Sequence, residues 1–118
     1  MTDYSPEKVD LAIAACANRI ANGVKVCDER YTTYLQADHA YDVAYAHAYL
    51  NAEGPAHAKK YEAEIATENE RRARDVADAA YRYADRTARA VQDELRALQS
   101  VGASIRAMYQ VAGRGEGA

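Results

Sequence analysis

The chain has 118 residues, 28% of them charged and 49% hydrophobic, with a formal net charge of -3 at pH 7. That length fits one domain, and alanine supplies nearly half of the hydrophobic positions, while Phe and Trp are absent and Tyr carries all the aromatic content. A mean hydropathy of -0.53 and the lack of any apolar run of about 18 residues exclude a membrane-spanning helix, and the mild negative charge disfavours non-specific duplex binding, which needs a basic field.

Met1-Thr2-Asp3-Tyr4 is polar and acidic with no basic n-region, so no signal peptide is read there and the cytoplasm is the expected location. Ser5-Pro6-Glu7 marks a helix start, with Ser as N-cap, Pro at the first helical position and an acid in the first turn. From there a heptad runs toward residue 51. One seam position carries Ala17, Val24, Tyr31, Asp38, Tyr45 and Ala52, and the other carries Ile13, Ile20, Cys27, Tyr34, Tyr41 and Ala48. Alternating steps of three and four are the signature of helices packed side by side at a shallow angle. Cys16 and Cys27 are too far apart on one helix, at about 16 Å of rise, to form a bridge within the chain. They are read as reduced, half-buried thiols, with an intermolecular bridge as the alternative.

Asn51-Ala52-Glu53-Gly54-Pro55-Ala56 is the clear break in this helical text. Gly can adopt a left-handed cap, and Pro cannot continue the old helix but suits the first turn of a new one. The expected fold is therefore all-α: a long antiparallel two-helix hairpin, coiled-coil-like, with a helix over about 6–51, a tip at 52–55 and a helix over about 56–100. The late seam of the second helix is clear in Ala77, Tyr81, Ala84, Ala88, Val91, Leu95 and Leu98. The early part, Thr67 to Asp75, is nearly devoid of apolar residues, and Ile65 and Val76 suggest a hendecad step there. Folding about the tip sets Tyr49 opposite Ala58, Tyr41 opposite Ala66, Tyr34 opposite Ala73, Tyr83 opposite Val24, and Leu95 and Leu98 opposite Ile13 and Val9. Large against small suits interdigitated layers.

Gly102 invites a kink, so a short third helix is expected over about 103–112, followed by a flexible Gly-rich tail at 113–118. Ile105, Met108, Tyr109 and Val111 keep an apolar stripe at helical spacing. Lacking a partner inside the hairpin, they are the candidate self-association residues, and a dimer that forms a helical bundle is expected.

Tyr31, Tyr34, Tyr41, Tyr45 and Tyr49 form the most unusual cluster. Either they fill a seam with their phenols reaching the edge, or they present an aromatic face that docks a partner. Asp38 on the seam, near Asn69 and Arg72, reads as a polar pair that fixes register. His39, His47 and His57 lack the three- or four-residue spacing that sets two ligands on one helical face. Arg71, Arg72 and Arg74 are the candidate phosphate contacts under a nucleic-acid reading. The arginines interleaved with acids further on read as a solvated face with weak ion pairs, Asp78 with Arg82 and Asp85 with Arg89 among them. No catalytic, cofactor-binding or metal-binding residue is predicted, and an enzyme is not expected.

The stretch Tyr41-Asp42-Val43-Ala44-Tyr45-Ala46-His47-Ala48-Tyr49-Leu50-Asn51-Ala52-Glu53-Gly54 resembles a group of small helical proteins of actinobacterial phages. In these, an Ala/Tyr-rich helix ends in a similar tip and is followed by a charged helix, a layout that Lys59 to Ala73 also fits. The resemblance implies a phage origin, host cytoplasm as location and an accessory role among early-region proteins; it carries over no catalytic residue. The expected function is a non-enzymatic interaction protein with a phage or host protein partner. The alternatives are a DNA-binding accessory of phage recombination and an inhibitor of a host nuclease or defence complex.

Overall fold

The computed structural model describes residues 5–116, with side chains from 5 to 113. Met1-Thr2-Asp3-Tyr4 and the last two positions of the expected tail, 117–118, lie outside the described residues. Over the described residues the protein is all-α: α1 spans Pro6–Asn51, α2 Ala56–Ala66 and α3 Glu68–Glu116, with no strand.

Local chemistry explains the ends. The Lys8 backbone N–H, a donor that a first turn leaves orphaned, donates to Ser5 Oγ at 3.3 Å, and the Val9 N–H makes the first intrahelical bond, to the Ser5 carbonyl at 3.0 Å. At the other end of α1, the Ala52 N–H donates to the Ala48 carbonyl at 3.0 Å, and Gly54 then takes φ 105. A side chain there would be strained, so this glycine makes the corner. Pro55, at φ -69 and ψ 158, leads into α2.

The second helix is two helices, not one over 56–100. Thr67 sits between them at φ -111 and ψ 20 and is 2% exposed. Its hydroxyl donates to the Ala63 carbonyl at 2.7 Å, and its N–H donates to the same oxygen at 3.1 Å. Such back-bonding from Thr bends a helix.

The chain divides into two compact units, one formed by Lys25–Asp85 and the other by Met1–Val24 with Arg86–Ala118. Lys25–Asp85 is a helical hairpin turned at Gly54. Its arms pair in reverse order: Tyr49 with Lys59, Tyr41 with Arg74, Tyr31 with Tyr81. In the other unit the first turns of α1 lie antiparallel to α3. Arg19 bridges Glu94 at 2.8 Å, Asp10 bridges Arg106 at 3.0 Å, and the Gly102 backbone packs on Val9 and Ile13.

These contacts correct the expected register. Near the corner Tyr49 meets the residue next to Ala58, but Tyr41 lies on Arg74 instead of Ala66, and Val9 lies at Gly102 instead of Leu98. The slip of about one to two turns arises between Lys59 and Arg74, the interval that contains the Thr67 break. Tyr83 and Val24, which the hairpin arithmetic buried against each other, are 70% and 65% exposed.

Burial along α3 follows one strict heptad from Thr67 through Glu70, Arg74, Ala77, Tyr81 and Ala84 to Gly102 and Ile105. The hendecad read on Ile65 and Val76 is not the seam, for these two are 76% and 69% exposed. Along α1 the seam changes phase. Early on Val9, Cys16 and Gly23 face inward where Ala17 and Val24 were expected, and from Tyr34 onward the expected positions are half-buried or buried. The extra four-residue step between Gly23, Cys27 and Tyr31 is a coiled-coil stutter.

Gly102 does not break α3. It is buried, and the missing Cβ admits Val9, whose Cγ1 would stand 3.2 Å from one. The short helix expected at 103–112 and the tail from 113 are instead the end of α3, which continues to Glu116. No proline interrupts this stretch, and each glycine costs a helix only about 1 kcal/mol relative to Ala.

Candidate interaction surfaces

The five tyrosines of α1 are brought together, and four of them line the seam. Tyr34, Tyr41, Tyr45 and Tyr49 are half-buried, while Tyr31 is 44% exposed. Ring centroids lie 6.1 Å apart for Tyr41 and Tyr45, 6.4 Å for Tyr45 and Tyr49, and 5.1 Å for Tyr31 and Tyr81 across the hairpin. Spacings in this range are the favourable offset or tilted arrangements of aromatic pairs.

Cations close the ladder from the facing helices. Lys59 Nζ sits 4.9 Å from the Tyr49 centroid, and the Arg74 guanidinium carbon sits 4.5 Å from that of Tyr41. Arg74 also donates through Nη2 to Asp75 Oδ1 at 3.2 Å. Burial works against its charge. The hydrogen bond to Asp75 and the charge of Asp75, with Tyr41 and Asp38 adding to them, outweigh it and hold the guanidinium pKa above its ordinary value. The cation that feels Asp38 is therefore Arg74, whereas Arg72, expected near it, turns to Glu68 at 2.7 Å. Arg71 is exposed beside Glu64, Glu68 and Ile65. The three arginines singled out for phosphate are thus interleaved with carboxylates.

Tyr45, Ala46, Tyr49 and Leu50 line a shallow, open and almost wholly apolar hollow of about 440 Å3 on α1 near the corner. Leu50 is 76% exposed, and Leu35 and Val43 farther down the helix are 46% and 42% exposed. Sequence reasoning passed over these aliphatic residues because it followed the inward seam. The signal available was the scarcity of charge, since Asp38, Asp42 and Glu53 are the only charged residues between Arg30 and Lys59.

The C-terminal stripe divides. Ile105 is buried at 8% exposure, whereas Met108, Tyr109 and Val111 are 67%, 59% and 68% exposed. Cys16 is buried and Cys27 half-buried, both as free thiols. Among the described residues no group of three His, Cys, Asp or Glu side chains could hold a metal ion, and no helix is long and apolar enough to cross a membrane. Compared with known proteins, the chain matches no family model, no curated protein and no solved structure.

Proposed function

We propose that this chain is a non-enzymatic accessory protein of a phage, working in the host cytoplasm, that self-associates and docks a protein partner through its helical hairpin. The phage assignment rests on the resemblance at 41–54. The interaction role rests on surface. Among the described residues the largest side chains fully withdrawn from solvent are Val9 and Cys16, while thirteen large hydrophobics stay exposed. Exposed apolar residues in such number mark association sites.

Light scattering at tens of micromolar tests the assembly half, where a species heavier than one chain is expected and a clean monomer removes it. Capture from host lysate tests the docking half, with a partner lost on substitution of the exposed Tyr31 as the expected result.

Arg71 favours a second reading, DNA binding in support of recombination, because it is exposed and forms no ion pair with another described residue. Its neighbours are less available, since Glu68 holds Arg72 and Asp75 holds Arg74. Salt-sensitive retardation of DNA in a gel would support this reading. No shift at low salt with protein in large excess would end it.

A further inference from the structure

α1 carries a second row of exposed residues on the flank of its packed seam, beginning at Tyr31, whose ring also rests on Tyr81. Tyr31, Leu35, His39, Asp42, Ala46 and Leu50 are all exposed, and all belong to the hairpin Lys25–Asp85. Their steps are four, four, three, four and four, an eleven-residue repeat that keeps them within a narrow sector of a nearly straight helix. The face is poor in charge. Asp38, the other acid of this stretch, is half-buried and acts on Arg74, so Asp42 is the single charge outward and His39 the single imidazole beside it in the row. Neither side chain has a hydrogen bond or ion pair with another described residue. A solvent-facing helix is ordinarily charged on that side, and loss of charge with gain of aromatic residues is the mark of an interface core.

The spacing reads the same in both directions about the midpoint between residues 40 and 41. A two-fold axis through that point would run two such helices antiparallel and make an isologous contact. It sets Tyr31 of one copy against Leu50 of the other, Leu35 against Ala46, and His39 against Asp42. Each pairing is chemically apt: aromatic on aliphatic, large on small, imidazole on carboxylate. The hollow falls within the same face. It lies around Ala46 and is ringed by Tyr45, Tyr49 and Leu50, and the same axis that pairs His39 with Asp42 delivers Leu35 to it as a knob enters a hole.

The geometry points to a second copy of this chain as the occupant of the outward face of α1, bound antiparallel about residues 40 and 41. This deepens the self-association reading and rests on it. The C-terminal residues Met108, Tyr109 and Val111 take no part in this pairing.

Sedimentation equilibrium on the full chain, with far-UV circular dichroism to follow helix content, tests the assignment. Ala46 is exposed, so Ala46→Glu leaves the fold intact, but it buries two unpaired carboxylates at the interface. It is expected to weaken the dimer about a hundredfold. His39→Glu opposes two acids across the axis and is expected to weaken it about tenfold. Adding Asp42→Lys to His39→Glu restores association, which a merely local role of either residue would not produce. A dimer indifferent to Ala46→Glu, or a double variant no tighter than His39→Glu, overturns this face while leaving self-association standing. A wild-type chain that stays monomeric at tens of micromolar overturns both.

Discussion

The Arg74 guanidinium carbon lies 4.5 Å from the centroid of the Tyr41 ring, at a heptad position where a coiled coil ordinarily places an aliphatic side chain. A cation laid on an aromatic face, with its tip held by Asp75, covers apolar surface with its stem while the charge stays near water. This seam therefore does not need the greasy residue that its sequence lacks.

Removing that side chain loses both stem and charge. Arg74→Ala is expected to destabilise the hairpin by about 1 kcal/mol, seen as a melting point several degrees lower by circular dichroism. Arg74→Lys keeps the charge but loses the planar stack, so it is expected to fall between the two. Equal melting points for all three chains would contradict the contact.

Glu70 holds an inward heptad position on the same face, and its Oε2 is buried without a hydrogen-bond partner. An unsatisfied buried oxygen costs about 1–3 kcal/mol. Glu70→Leu is accordingly expected to raise the melting point, with a gain of about 1 kcal/mol. A fall would show that the carboxylate is doing something that its surroundings do not reveal.

Two glycines inside helices are expected to respond differently. A Cβ at Gly23 would stand 3.7 Å from that of Ala88, an ordinary contact, so Gly23→Ala gains helix propensity of about 0.5–1 kcal/mol. At Gly102 a Cβ would meet Val9 Cγ1 at 3.2 Å, so the same substitution gains less there, and Gly102→Leu is expected to unfold this pairing of α1 and α3. Chemical denaturation midpoints rank the three variants.

The corner depends on backbone freedom. With φ 105 at Gly54, Gly54→Ala is expected to cost about 1–2 kcal/mol. Gly54→Asn should cost less, since Asn visits the left-handed region more readily. Thermal melts of both variants check the order, and an alanine as stable as the glycine would place the turn elsewhere.

What the sequence makes legible here is local chemistry. Ser5 and Pro6 start a helix, and Gly54 with Pro55 turns one, because caps and left-handed backbone are decided by a few neighbouring residues. The seam of α3 from Ala77 to Leu98 is legible for a similar reason, its apolar residues recurring without competition. The stretch from Thr67 to Arg74 is not, because a search for apolar residues finds Ile65 and Val76, both of which face outward. Thr67, Glu70 and Arg74 fill the inside by hydrogen bond, by stem and by cation–π contact. In α1 the phase error at Ala17 and Val24 has another cause. On an alanine-rich helix, neighbouring positions differ little in hydrophobicity, so composition cannot tell Cys16 from Ala17, and the packing of Gly23 against Ala88 depends on the partner helix. The outward face of Leu35, Ala46 and Leu50 was signalled by missing charge more than by periodicity.

The claim on which this account turns is that α1 has a second helix to pack against, supplied by another copy. Sedimentation equilibrium of the unmodified chain at tens of micromolar measures it most directly. A mass approaching twice 13.0 kDa, shifting toward one chain on dilution, is the predicted result, and a mass that stays at one chain across the concentration range would contradict it.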